Sequence, residues 1–124
     1  MKSFVLIVCF VLAGCSDSTI TSPEQIVFPE KNVSYQQHVN PLLTLTCSYS
    51  GCHDSDTKAG NVDVSTYFSL TSRAGLIIPG KPDMSLLNQV LEGKITHFIS
   101  FQSRLNSAQI KGIRTWVSEN ALNN

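Results

Sequence analysis

Cys47-Ser48-Tyr49-Ser50-Gly51-Cys52-His53 gathers two thiols and an imidazole within one short stretch. These are the side chains of metal and cofactor attachment. The nearest spacing with a mechanism is Cys-x-x-Cys-His, where two thiols form thioethers with haem vinyl groups and the histidine binds the iron. Here four residues separate the cysteines rather than two. The extra pair must loop out for both thiols to reach one ligand, and Gly51 gives the backbone freedom to do so. Two other readings of the same residues stay open. In an oxidising compartment, thiols at this separation readily close a disulfide. A zinc site would need both cysteines and two histidines, and His53 directly after Cys52 does not match the usual finger spacing.

The compartment follows from the other end of the chain. Lys2 precedes an apolar run, Phe4 to Leu12, that is far shorter than the roughly 20 residues a spanning helix needs. It reads as a signal peptide over residues 1–14. The run ends in Leu12-Ala13-Gly14-Cys15, which resembles the bacterial lipobox, so Cys15 is expected to be lipidated and to become the new N-terminus. The alternative is an ordinary signal cleaved at nearby small residues, with Cys15 a plain thiol. Either way the chain is expected outside the cytoplasm. Cys9 leaves with the signal peptide, so Cys47 and Cys52 are the two thiols that remain free once Cys15 is lipidated.

The chain has 124 residues, enough for one small domain. From residue 15 onward it keeps eight of nine basic residues and all nine acidic ones, a net charge of −1. No basic patch stands out, so nucleic acid is not expected as a partner. Residues 15–32 carry Ser, Thr, Pro23 and Pro29 without a helical period, and read as a tether. Ile26, Val27 and Phe28 could form a short segment lying on the domain. The domain proper is expected over 33–124.

Several elements must position the cysteine and histidine side chains. Ser34-x-x-Gln37 is a capping box, predicting a helix over about 35–46 with a kink near Asn40, where Pro41 removes a hydrogen bond. Residues 54–64 are polar. Asp54, Asp56 and Asp63 lack the full ligand spacing of a calcium loop, so a solvated loop is the expectation. A second helix is predicted after Ser65 through Tyr67, Phe68 and Leu70, then an extended Leu76–Pro79 piece. A third helix, capped by Asp83 or Ser85, carries Leu86, Leu87, Val90 and Leu91 and ends at Gly93. Residues 94–104 have no clean period but hold His97, Phe98, Ile99 and Phe101. The last helix is the clearest. Asn106 and Gln109 form a capping box, Leu105 and Ile110 a hydrophobic staple, and Ile110, Ile113, Trp116, Val117 and Ala121 one stripe. Gly112 on this helix would allow a close helix contact. Tyr35, Phe68 and Trp116 are expected in the core, and His38 on a polar helix face. Nothing reads as a sheet, so the fold class is mostly α, with the first and last helices crossing.

Tyr35-x-x-His38-Val39-Asn40-Pro41-Leu42-Leu43 followed by Cys47 to His53 resembles the opening of planctomycete-type cytochrome c domains. Ile78-Pro79-Gly80-Lys81-Pro82-Asp83-x-Ser85-Leu86-Leu87 and Leu105 to Val117 extend the likeness over about 34–121. The resemblance implies a class I-like cytochrome c fold around one covalent haem c. It makes Cys47 and Cys52 the thioether attachments and His53 the proximal iron ligand. One departure stands out. Members usually place a Met-Pro pair before the last helix, and its methionine is the distal ligand. This chain has no methionine after Met84, and the segment in question offers His97 instead. His97 is therefore the distal candidate; five-coordinate iron is the alternative. Two-histidine ligation gives a lower potential than His/Met.

The expected function is electron transfer by a lipid-anchored monohaem cytochrome facing the periplasm. Its expected partners are redox proteins and, through the lipid on Cys15, a membrane, the outer one favoured by Ser16. An electron carrier is expected rather than an enzyme. The competing class is a non-haem lipoprotein module stapled by a Cys47–Cys52 disulfide.

Overall fold

A computed structural model of the chain describes residues 19–98 and 101–124. The expected signal peptide and Cys15 lie outside the described residues, as does Ile99. Among the described residues the fold is mostly helical and no strand forms. Four α-helices are joined by turns: α1 (Asn40–Thr46), α2 (Tyr67–Ser72), α3 (Leu86–Leu91) and α4 (Ser107–Ser118). None of the described helices is long and apolar enough to cross a membrane.

The first helical stretch opens with a π-helical turn, Tyr35–Val39, and passes into α1 at Asn40. The change falls beside Pro41, which has no N–H to donate to the preceding turn. Ser34 Oγ accepts from Gln37 N at 3.1 Å, as its spacing predicts. The return half of the box differs from expectation: the Ser34 N–H donates to His38 Nδ1 at 3.2 Å. The wider π turn brings the imidazole to the place expected for the Gln37 amide. His38 also lies against Phe28, with ring centroids 5.6 Å apart.

The other first-turn amides find partners from far along the chain. Tyr35 N donates to Asn124 Oδ1 at 2.9 Å, and Gln36 N to the Asn124 carbonyl at 2.9 Å. Glu119 accepts from Asn32 N at 2.7 Å and Val33 N at 2.9 Å. Residues 119–124 thus satisfy donors that a helix start leaves open.

The core lies between this first stretch and α4. Tyr35, Val39, Leu42 and Leu43 meet Ile113, Trp116 and Val117, all buried. Tyr35 stacks at 5.7 Å from Trp116 and meets Tyr67 edge-on at 5.1 Å. Trp116 Nε1 donates to Leu122 O, and the Tyr67 hydroxyl to Ala121 O, so both polar tips are satisfied. Phe68, expected in the core, is 78% exposed. Helix α2 is short and capped by Thr66, and its Tyr67 and Leu70 point inward one turn apart, which turns Phe68 to solvent.

Helix α4 begins as its sequence indicates. Asn106 Oδ1 accepts from Gln109 N at 2.9 Å, and Gln109 Oε1 accepts from Asn106 N at 3.0 Å. Asn106→Ala is expected to cost about 1 kcal/mol by denaturant unfolding, since the helix start loses its side-chain acceptor; a loss too small to resolve would mean the cap does not support α4.

Part of the expected tether lies on the domain. Ile26 is buried in the core, and Gln109 Nε2 donates to Pro23 O at 2.7 Å. Phe28 packs across Gly112, where a methyl group on the Cα would lie 2.1 Å from the Phe28 ring. The close approach expected at Gly112 is therefore made by the N-terminal segment rather than by a helix. Val27, between Ile26 and Phe28, points outward.

Candidate functional site

Cys47 follows α1 directly, and its N–H still donates to Leu43 O at 2.8 Å. The chain then bulges through Ser48–Gly51 and returns, so that His53 N donates to Cys47 O at 3.2 Å. That bond closes the four-residue spacer into a compact loop. Gly51 turns the bulge with a φ of +84°, a conformation that costs glycine little. Inside the loop, Cys52 N donates to Tyr49 O, and Gly51 N to Thr57 Oγ1. Val64 N donates to His53 O, anchoring the far side. The acidic residues beyond serve as turn acceptors. Asp54 Oδ1 accepts from Thr57 N at 2.7 Å, and Asp63 Oδ1 from Ser65 N at 2.9 Å. No grouping of three or more metal-ligating side chains is present among the described residues.

Both cysteines and His53 line one cavity of about 450 Å³. Its opposite wall comes from α3 (Leu86, Leu87, Val90, Leu91) and from the irregular segment after it (Ile95, His97, Phe101). The lining is mostly apolar, and the volume is in the range of ligand sites. Arg73 and the exposed Arg104 are also among its lining residues. Arg104 sits over the Tyr49 ring, 5.1 Å from its centroid. Among the described residues Arg73 makes no ion pair.

The two histidines meet one another in the cavity lining. His53 Nε2 lies 3.4 Å from His97 Nε2, with ring centroids 5.7 Å apart. Phe101 meets the His97 ring edge-on at 5.3 Å, which limits how that ring can turn. Two imidazole nitrogens this close can share a proton as donor and acceptor, or direct two lone pairs at one cation. A metal–imidazole bond is about 2 Å, so a metal in line between them needs the nitrogens about 4 Å apart, roughly 0.6 Å more than they are here. His53 Nδ1 is buried with no hydrogen-bond partner. An orphaned imidazole nitrogen in an apolar wall is uncommon without a ligand nearby.

Cys47 and Cys52 are both free thiols. Burial pushes the Cys47 thiol above its ordinary range, with its hydrogen bond to the Thr46 hydroxyl and the charge of Arg104 pulling the other way. It stays protonated at neutral pH, which slows disulfide exchange.

Cys47, Cys52, His53 and His97, the residues singled out from sequence in the described part of the chain, thus all line one cavity, with only the two histidines paired at hydrogen-bond distance. Met84, the last methionine of the chain, is exposed and away from the cavity. His38 is likewise not among the lining residues. Arg73 and Arg104 are not recognisable from sequence, because no local pattern marks a lone arginine that tertiary folding brings to the rim of a cavity. Scans against protein-family models, curated proteins and solved structures find no match for this chain.

Proposed function

We propose that the domain holds one covalent haem c and carries single electrons. The observation behind this reading is the opposition of His53 Nε2 and His97 Nε2, 3.4 Å apart, on the wall of the apolar cavity that also receives Cys47 and Cys52. Haem c, when bound, supplies a one-electron iron couple. Cys47 and Cys52 would hold it by thioethers, and His53 and His97 would be the residues that bind its iron. Leu86, Leu87, Val90 and Leu91 would exclude water from one face. Arg73 and Arg104 suit a ligand with an apolar body and carboxylate groups, since a buried carboxylate needs a cation beside it. The fit is chemical as well as spatial: soft thiols, two imidazoles, apolar walls and two cations. The cytochrome c resemblance from Tyr35 to Val117 points the same way, and a class I-like arrangement belongs to this proposal.

With two imidazoles on the iron, the expected potential lies below that of a His/Met site. The lipid on Cys15 would hold the carrier at a membrane facing the periplasm, the outer membrane being favoured, near membrane-bound redox partners. A Cys47–Cys52 disulfide in a non-haem module is the competing assignment. It would leave an apolar cavity of about 450 Å³ without an occupant.

The mature protein, expressed with a c-type maturation system, is expected to gain the mass of one haem and to show a reduced c-type α-band. A mass short by two hydrogens with no added haem would establish the disulfide instead.

A further inference from the structure

The segment bearing His97 leaves α3 through a closed ring of four charges. Arg114, on α4, donates from Nη1 to Glu92 Oε1 at 2.7 Å and from Nη2 to Asp83 Oδ1 at 2.8 Å. Lys94 Nζ lies 2.7 Å from Glu92 Oε2 and 3.2 Å from Asp83 Oδ1. Each carboxylate therefore bridges both cations. Asp83 sits in the turn before α3, Glu92 is the residue at its C-terminal cap, and Lys94 precedes His97 by three residues. Gln89 completes the junction. Its carbonyl accepts from Lys94 N at 2.8 Å and Ile95 N at 3.2 Å, and its side-chain amide donates to Asp83 O at 2.8 Å.

Isolated exposed pairs contribute little, but a network with a two-pronged arginine fixes geometry. Glu92 is the least exposed member, its side chain 18% accessible. Burial raises its carboxyl, while Lys94 and Arg114 outweigh that and hold it below its ordinary range. None of the four charged residues lines the cavity, whereas Ile95, Thr96 and His97 do.

We propose that this ring is a positioning device for His97. It ties the exit from α3 to α4, and so fixes where residues 95–97 enter the cavity and keeps the His97 imidazole against His53. The inference rests on the haem reading above. The ring acts on His97 through the backbone that runs on from Lys94.

The test measures cyanide binding to the ferric haem-loaded protein, because cyanide must displace the sixth ligand. Loosening His97 raises the competent fraction, and apparent affinity scales with that fraction. Glu92→Gln is expected to tighten apparent cyanide binding about tenfold. Wild type in roughly 1 M salt, where screening acts within about 3 Å, should move toward the variant, and Glu92→Gln should respond little. Glu119→Gln is the control, since Glu119 caps Asn32 and Val33 instead. It should lower the thermal midpoint and leave cyanide binding unchanged. Glu92→Gln matching wild type, or Glu119→Gln shifting cyanide as far as Glu92→Gln, overturns this inference alone. A wild-type protein that acquires no haem overturns both this inference and the haem reading.

Discussion

On the proposed haem reading, His97→Ala is expected to turn a six-coordinate, low-spin ferric spectrum into a five-coordinate one and to let added imidazole bind. The reason is geometric. His97 Nε2 is the atom that faces His53 Nε2, at 3.4 Å, and Phe101 stands edge-on against its ring. Alanine removes the lone pair and supplies nothing in its place. His97→Met should behave differently. A thioether favours reduced iron, so the potential should rise, by on the order of 0.1 V within the roughly 0.8 V span that axial ligands command. Potentiometry of the two variants beside wild type reads both effects. An unchanged ferric spectrum in His97→Ala would remove that residue from the iron.

A single methyl group at Gly112 should change stability with a sign that Phe28 decides. Gly112→Ala places a Cβ 2.1 Å from Phe28 Cδ1 and 2.6 Å from Phe28 Cβ. The clash reaches the root of the Phe28 side chain, so a rotamer change cannot relieve it. The segment from Pro23 to Phe28 must lift from α4. Losing a partly buried phenylalanine costs about 2 kcal/mol, against a gain of about 1 kcal/mol from replacing a helical glycine. The net expectation is a loss of about 1 kcal/mol or more, with Ile26 and the Gln109–Pro23 bond weakened alongside. In a Phe28→Ala background the clash is gone, and Gly112→Ala should stabilise. Urea unfolding of the four proteins in this cycle checks the change of sign. The same sign in both backgrounds would show that Phe28 is not seated on Gly112.

These two sites differ in how far their residues announce them. The helix starts at Ser34 and Asn106 are legible in the sequence because a cap is local: donor and acceptor lie three residues apart. The inward stripe of α4 is legible for the same reason, its period belonging to one helix. Phe68 misleads because a six-residue helix holds too little periodicity to set its phase; Thr66, not the apolar count, decides which ring turns inward. Gly112 marks a close contact by its type, but the neighbour it meets, Phe28, lies far back in the chain and nothing local identifies it. At the site, Cys47, Cys52 and His53 identify themselves by type and spacing. His97 is recognisable by type, in a segment without a period. Its placement opposite His53 is a tertiary fact, set by the turn after α3. Arg73 and Arg104 carry no signal at all until the cavity exists.

Asn124 caps the first helical turn from a sequence separation of 90 residues, counted from Ser34. The segment between is in effect a ring, held shut at Ser34–Gln36 on one side and Asn124 on the other. Ring closure costs free energy as the logarithm of length, about 0.6 kcal/mol for each doubling. Two residues added among some ninety change that by only about a few hundredths of a kcal/mol. The framework is therefore indifferent to the width of the Cys47–Cys52 spacer. What the spacer must satisfy is local: a bulge that Gly51 can turn, and the His53-to-Cys47 bond that closes it. Lengthening is tolerated wherever those two conditions survive.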